Sequence, residues 1–86
     1  MTRFDVVVEV WLRPGIADPQ GATIQRALPA VGVSGVSELT TGKAFRFSVD
    51  GASADEAERR AGELAHRLLA NPVIEDAVVR VLGARQ

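Results

Sequence analysis

The chain has 86 residues, no cysteine and a formal net charge of −1 at pH 7. The lack of cysteine excludes disulfides, thiolate metal ligands and a thiol nucleophile, and the near-neutral charge argues against electrostatic binding to nucleic acid or anionic lipid. Asp5 interrupts the N-terminal stretch that a signal peptide would need, and no apolar run is long enough to span a membrane. A cytoplasmic location without a membrane partner is therefore expected.

The amount of apolar side chain is large for so short a chain. Hydrophobic residues make up 47% of the sequence, yet one domain over residues 1–86 is expected to bury only about 63% of the surface of its unfolded chain. The surplus is expected at the surface, where apolar patches are typical of protein–protein contacts. The composition thus favours an oligomer or a complex.

The first half of the chain predicts a strand and a helix. Apolar residues alternate over residues 4–12, which is the period of a strand, and Pro14 with Gly15 then forms a turn pair. Asp18 as N-cap and Pro19 at the first helical position predict a helix start. Pro29 is expected to bend or end this helix early.

The second half predicts two strands, a helix and a last strand. Residues 36–49 form two strands joined by a tight turn at residues 41–43. Ser53 and Glu56 form a capping box that starts the second helix. Its buried stripe is predicted to contain Ala57, Ala61, Leu64, Ala65 and Leu68. Asn71 and Pro72 end the helix, and residues 77–82 supply the last strand.

This β-α-β-β-α-β order predicts an α+β, two-layer, ferredoxin-like sandwich with two helices on one face of a four-stranded sheet. Two helices cover one face of such a sheet, so the other face is left open. The apolar residues expected on that open face, and hence at a homo-oligomer interface, are Val7, Trp11, Val78 and Leu82.

No catalytic, cofactor-binding or metal-binding residue is predicted. His66, the only histidine, lies on the helix face opposite the predicted stripe and has no evident orienting acid or second ligand. Gly42 and Lys43 resemble the end of a P-loop, but the upstream glycine is misplaced and Ala44 replaces the required hydroxyl residue. Adjacent Glu75 and Asp76 point to opposite faces of a strand.

Two other binding functions are consistent with this fold order. The run from Lys43 to Phe47 resembles the third-strand aromatic motif of RNA-recognition domains, in which two aromatic side chains stack on bases. Ala44 stands in place of the expected glycine, and the chain is not basic. The second alternative is a stand-alone regulatory module that binds a small metabolite between paired domains.

Three segments of the chain carry distinctive motifs. The first is Arg-Pro-Gly followed by Asp-Pro-Gln-Gly (residues 13–21), the second contains Gly35-Val36 and Gly42-Lys43, and the third ends in Asn-Pro-Val-Ile-Glu (residues 71–75). Together they resemble the PurS family, the small subunit of phosphoribosylformylglycinamidine synthase. A cap or a turn explains each segment locally but does not explain their joint occurrence.

The resemblance implies a non-catalytic accessory subunit in de novo purine biosynthesis. It implies a glutaminase (PurQ-like) and a synthetase (PurL-like) subunit as partners, which this subunit bridges while ammonia passes between them, and self-association as a dimer or tetramer. The assembled ligase would use ATP with Mg, and this subunit alone would bind no cofactor. The residues expected at the partner interface are Pro14, Gly15, Asp18, Pro19, Gln20, Gly21, Gly42, Lys43, Asn71 and Pro72.

Overall fold

The computed structural model describes residues 1–85, which form a three-stranded antiparallel sheet and two helices. In chain order the elements are β1 (Thr2–Leu12), α1 (Pro19–Ala27), a 3₁₀ turn (Leu28–Val31), β2 (Gly42–Gly51), α2 (Ala54–Leu64), a π-helical turn (Ala65–Leu69) and β3 (Glu75–Ala84). The predicted α+β class is confirmed. Over the described residues, no helix is long and apolar enough to cross a membrane.

β1 is the centre of both the sheet and the core. It pairs with β2 on one side and with β3 on the other. Its alternation places Val6, Val8 and Val10 under α2, where each is at most 1% exposed. The helix contributes small side chains at the contact, so its backbone packs close to the strand. These buried helical residues are Ala57, Ala61 and Ala65.

The prediction of a fourth strand within residues 36–41 is wrong, because residues 34–41 form an irregular loop and Gly42 begins β2. Gly35 and Glu38 both have positive φ, +80° and +56°, which is incompatible with extended backbone. The Gln25 side chain also takes the backbone groups that strand pairing would need. Its amide donates to the carbonyl of Val36 (2.7 Å) and accepts from the amide of Leu39 (2.9 Å).

The prediction that both helices cover one face of the sheet is also wrong. Helix α1 and its 3₁₀ turn pack mainly against each other rather than against the strands, and Gly21 is the only buried residue of α1. We call residues 18–41 the arm, because they leave the sheet and return to it at the same end. The expected early end of α1 is confirmed, since Pro29 lies in the 3₁₀ turn and Gly32 closes it with φ +77°.

The end of the second helix differs from the predicted stripe at Leu68. The π-helical turn adds a residue to the helical repeat, so Leu68 rotates outward and is 75% exposed. Leu69 packs against the core cluster instead. Because of the wider turn, Leu69 rather than Leu68 faces the sheet.

Candidate protein-interaction site

The antiparallel topology brings three chain segments together at one end of the sheet. Residues at the end of β1 pair with the first residues of both β2 and β3. We call this region the loop end. The ten predicted partner-interface residues all lie in segments that meet there. Five of them line one cleft together with Thr41 and Glu75: Asp18, Pro19, Gln20, Gly42 and Lys43.

Asp18 fastens the base of the arm at the loop end. Its Oδ1 accepts from the amide of Gly21 (2.9 Å) and from the hydroxyl of Thr41 (2.9 Å), and its Oδ2 accepts from the amide of Thr41 (2.7 Å). These hydrogen bonds, the one from the Gly21 amide foremost, lower the pKa of Asp18 from its ordinary value. Asp18 thus joins the start of α1 to the start of β2.

Asp18→Asn is expected to lower the melting temperature by several degrees at pH 7, because asparagine has one acceptor oxygen instead of two. A carboxyl whose pKa is lowered by folding adds stability above its unfolded pKa of about 3.9, and loses that contribution as pH falls through the folded pKa. The difference between the wild type and D18N should therefore shrink below pH 4. Thermal unfolding from pH 7 to pH 2.5 measures it, and a constant difference would contradict this role.

At two of the predicted glycines, neighbouring atoms lie too close to leave room for a Cβ atom. A Cβ on Gly21 would lie 2.6 Å from Oδ2 of Asp18 and 2.8 Å from the carbonyl oxygen of Leu39. A Cβ on Gly42 would lie 2.7 Å from the carbonyl oxygen of Val10 and 2.8 Å from the ring of Trp11. Both glycines therefore have a structural role within the chain.

The segment before β3 forms a hydrogen-bonded turn. The side-chain oxygen of Asn71 accepts from the backbone amide of Val73 (3.0 Å), and the backbone amide of Asn71 donates to the Glu75 carboxylate (2.7 Å). The other carboxylate oxygen of Glu75 lies 3.6 Å from Nζ of Lys43. The Glu75 side chain is 13% exposed and that of Lys43 is 57% exposed, so the ion pair joins a partly buried acid to a surface cation.

The contacts that Arg13, Thr41 and Asp76 make at the loop end were not predicted from the sequence. Arg13 pairs with Asp76 (Nε–Oδ1 3.1 Å), and its amide donates to the carbonyl of Ile74 (2.8 Å). Thr41 supplies two of the donors to Asp18. Their pairing depends on the meeting of distant segments, and no local pattern marks it.

Most of the predicted interface residues remain accessible at the loop end. Asp18 is half-buried and Gly21 is buried, whereas the other eight are exposed: Pro14, Gly15, Pro19, Gln20, Gly42, Lys43, Asn71 and Pro72. The region therefore presents a surface that is rich in small residues, is held by internal hydrogen bonds and carries two exposed cations, Arg13 and Lys43. In the part of the chain that the structure describes, no group of His, Asp or Glu could hold a metal ion. The arrangement is suited to docking against a protein.

The four predicted oligomer-interface residues lie on the sheet face opposite α2. Trp11, Val78 and Leu82 are 39%, 47% and 59% exposed, and Val7 is half-buried. Charged residues separate them, as in the pair formed by Glu9 and Arg80 (2.6 Å). Their shared face is as predicted, and their role in oligomerisation stays a prediction.

The RNA-recognition alternative required Phe45 and Phe47 on the open face of the sheet. Both instead pack against the core cluster beneath α2, on the face that the register shares with Val6 and Val8. The aromatic pair is therefore part of the core layer, and the alternative is not favoured.

The fold and the loop end are those of a small α+β protein with a surface suited to binding other proteins. The family model of PurS, described as phosphoribosylformylglycinamidine (FGAM) synthase, matches residues 5–83. The PurS subunit of Archaeoglobus fulgidus is 42% identical over 83% of this chain and 86% of its own, and that of Mycobacterium leprae is 44% identical over 81% and 85%. The chain belongs to the PurS family.

Solved structures agree with this family over nearly the whole chain. A chain in the structure of PurLQS from Thermotoga maritima is 32% identical, with a TM-score of 0.86 over 95% of this chain and all of that one. The crystal structure of Methanocaldococcus jannaschii PurS, one of the subunits of formylglycinamide ribonucleotide amidotransferase in the purine biosynthetic pathway, is 32% identical. Its TM-score is 0.82 over 95% of this chain and 99% of that one.

Proposed function

We propose that this chain is the non-catalytic small subunit of phosphoribosylformylglycinamidine synthase in purine biosynthesis, which bridges a glutaminase and an ATP-dependent synthetase subunit. The observation that carries the proposal is the match to a PurS structure determined as PurLQS, with a TM-score of 0.86 over 95% of the chain. The exposed loop end supports it, since this surface is held in place by the chain's own hydrogen bonds and is accessible to a partner.

The chemistry of the assembled enzyme belongs to the partner subunits in this proposal. The glutaminase releases ammonia, and the synthetase uses ATP with Mg to incorporate it into the amidine product. The small chain holds the two together so that ammonia reaches the second site without escaping to water. It is expected to bind no nucleotide alone, and a cytoplasmic location is part of the same proposal.

Reconstitution tests the bridging role directly. Purified glutaminase and synthetase subunits are assayed with and without this chain, using glutamine or free ammonia as the nitrogen source. Omission should abolish glutamine-dependent synthesis and leave ammonia-dependent synthesis in place. Undiminished glutamine-dependent synthesis without the chain would overturn the proposal.

Lys43→Glu is expected to weaken co-elution with both partner subunits. Lys43 is an exposed cation of the loop end, and its replacement by glutamate also places a second carboxylate beside Glu75. The double variant K43E/E75K restores opposite charges at the pair, and Arg59→Glu applies the same charge change on α2. R59E should co-elute like the wild type, and the double variant should stay impaired. Recovery by the double variant would show that Lys43 acts through the ion pair rather than by contact.

A further inference from the structure

Trp11, the only tryptophan of the chain, lies at the loop end of the sheet face opposite α2. Its register partner on β2 is Gly42, the first residue of that strand. Val7 is four positions earlier on β1, which is about 13 Å along the strand, and Glu9, ion-paired with Arg80, stands between them. The structure therefore places Trp11 beside the predicted partner interface.

Trp11 lines a pocket of about 400 Å³ at the loop end. Residues 12–16, which follow β1, and residues at the two ends of the arm complete its lining. Its volume is at the lower end of the range for ligand pockets, about 300–1,000 Å³. Trp11 is 39% exposed and Ile16 is 40% exposed, so the pocket offers accessible apolar surface on both a strand and a turn.

Internal hydrogen bonds hold the lining of this pocket in place. Pro14 and Gly15 are the central residues of a turn that the bond from the Ile16 amide to the Arg13 carbonyl closes (3.1 Å). Gly15 has φ +88°, the positive value that a type II turn requires at this position. The bonds of Asp18 fix the two ends of the arm. A pocket held in this way loses little conformational freedom on binding, which favours affinity.

Most polar side chains of the pocket are already bonded within the chain. Both carboxylate oxygens of Asp18 accept hydrogen bonds from Thr41, and the guanidinium of Arg13 pairs with Asp76. A polar metabolite would compete with these contacts, and each bond left unmade costs free energy. An apolar side chain would bury the exposed apolar lining and leave the contacts in place. The chemistry of the pocket therefore favours an apolar side chain of another protein.

We infer that Trp11 is the anchor residue of the partner interface, and that its pocket receives an apolar side chain of a partner subunit. The inference rests on the proposed function, and it assigns Trp11 to partner binding instead of self-association. Tryptophan is enriched among the few residues that carry most of the binding energy of an interface, and such residues lie in well-packed pockets. Pro14, Gly15 and Asp18 line the same pocket, so the anchor is continuous with the predicted partner surface.

Titration of the purified partner subunits against variants of this chain tests the anchor. Trp11→Ala and Ile16→Ser should each weaken binding at least tenfold, whereas Trp11→Phe should retain most of it. Leu82→Ala is the matched control, because Leu82 is 59% exposed on the same sheet face, and it should bind like the wild type. Sedimentation of W11A alone should show unchanged self-association. Wild-type partner binding by W11A, or a loss confined to self-association, would overturn the inference, and the reconstitution assay decides the bridging function separately.

Fluorescence reports on the pocket without removing the indole. Replacement of Trp11 by 5-hydroxytryptophan gives this chain a single fluorophore that is excited at longer wavelengths than the ordinary tryptophans of the partner subunits. Complex formation should reduce quenching of this fluorophore by acrylamide at least twofold, because the partner side chain covers the ring. Unchanged quenching in a complex that has formed would contradict the anchor role and leave the bridging function standing.

Discussion

Replacing Ala61 with leucine is expected to lower the free energy of unfolding by about 2–3 kcal/mol, the upper part of the range for overpacking a filled core. Ala61 is fully buried between α2 and β1, where Val6, Val8 and Val10 form the other side of the contact. The helix lies close to the strand because its contact residues are alanines. Three extra carbon atoms at this point must push α2 away from the sheet.

Thermal unfolding at fixed protein concentration measures this effect, since self-association shifts the apparent stability. A loss of this size corresponds to roughly 10–20 °C in melting temperature for a domain of this length. Ala54→Leu is the matched control, because Ala54 is exposed at the start of the same helix. Equal melting temperatures for A61L and A54L would contradict the proposed packing.

The sequence predicts those parts of the fold that local chemistry determines. Strict alternation predicts β1 because one face of a half-buried strand must be apolar. The Asp18 and Ser53 caps are confirmed, since each side chain accepts a hydrogen bond from the backbone amide three residues on. These signals act within one turn or one strand and need no knowledge of the rest of the chain.

The arm could not be predicted in this way. The segment from residue 36 was predicted to be a strand, but the side chain of Gln25 binds its backbone groups from 11 and 14 residues away. The helical stripe of α1 predicts an apolar partner without saying whether it belongs to the same chain. The apolar periodicity therefore predicted that α1 forms, but its position relative to the sheet depends on the hydrogen bonds of Asp18.

The segments that form the candidate site could be predicted from the sequence, but the contacts between their residues could not. Asn71 and Pro72 are recognisable turn residues, and the resemblance to the family linked them with the segments at residues 13–21 and 42–43. Their meeting at one end follows from the pairing of β1 with both β2 and β3. The sequence alone gives no reason for Glu75 to bind both Asn71 and Lys43, because the pairing of Lys43 with Glu75 depends on that topology.

Gly42→Ala is expected to lower the free energy of unfolding by about 1–3 kcal/mol, although the substitution adds a single carbon atom. That carbon would lie 2.7 Å from a backbone oxygen of β1 and 2.8 Å from the Trp11 ring. A strand backbone in the centre of a sheet cannot move aside as a flexible side chain can. The ladder between Trp11 and Gly42 must therefore open at its first pair.

Gly62→Ala is a control that should raise the free energy of unfolding, whereas Gly42→Ala should lower it. A Cβ on Gly62 meets no atom within 4 Å, and Gly62 lies inside α2, where alanine is favoured over glycine by about 1 kcal/mol. Denaturant unfolding should thus show G62A more stable than the wild type and G42A less stable. If G42A kept wild-type stability and lost only co-elution with the partner subunits, Gly42 would be a contact residue of the interface. The close approach to Trp11 predicts instead that G42A lowers the free energy of unfolding, and that co-elution with the partner subunits weakens because the fold is less stable.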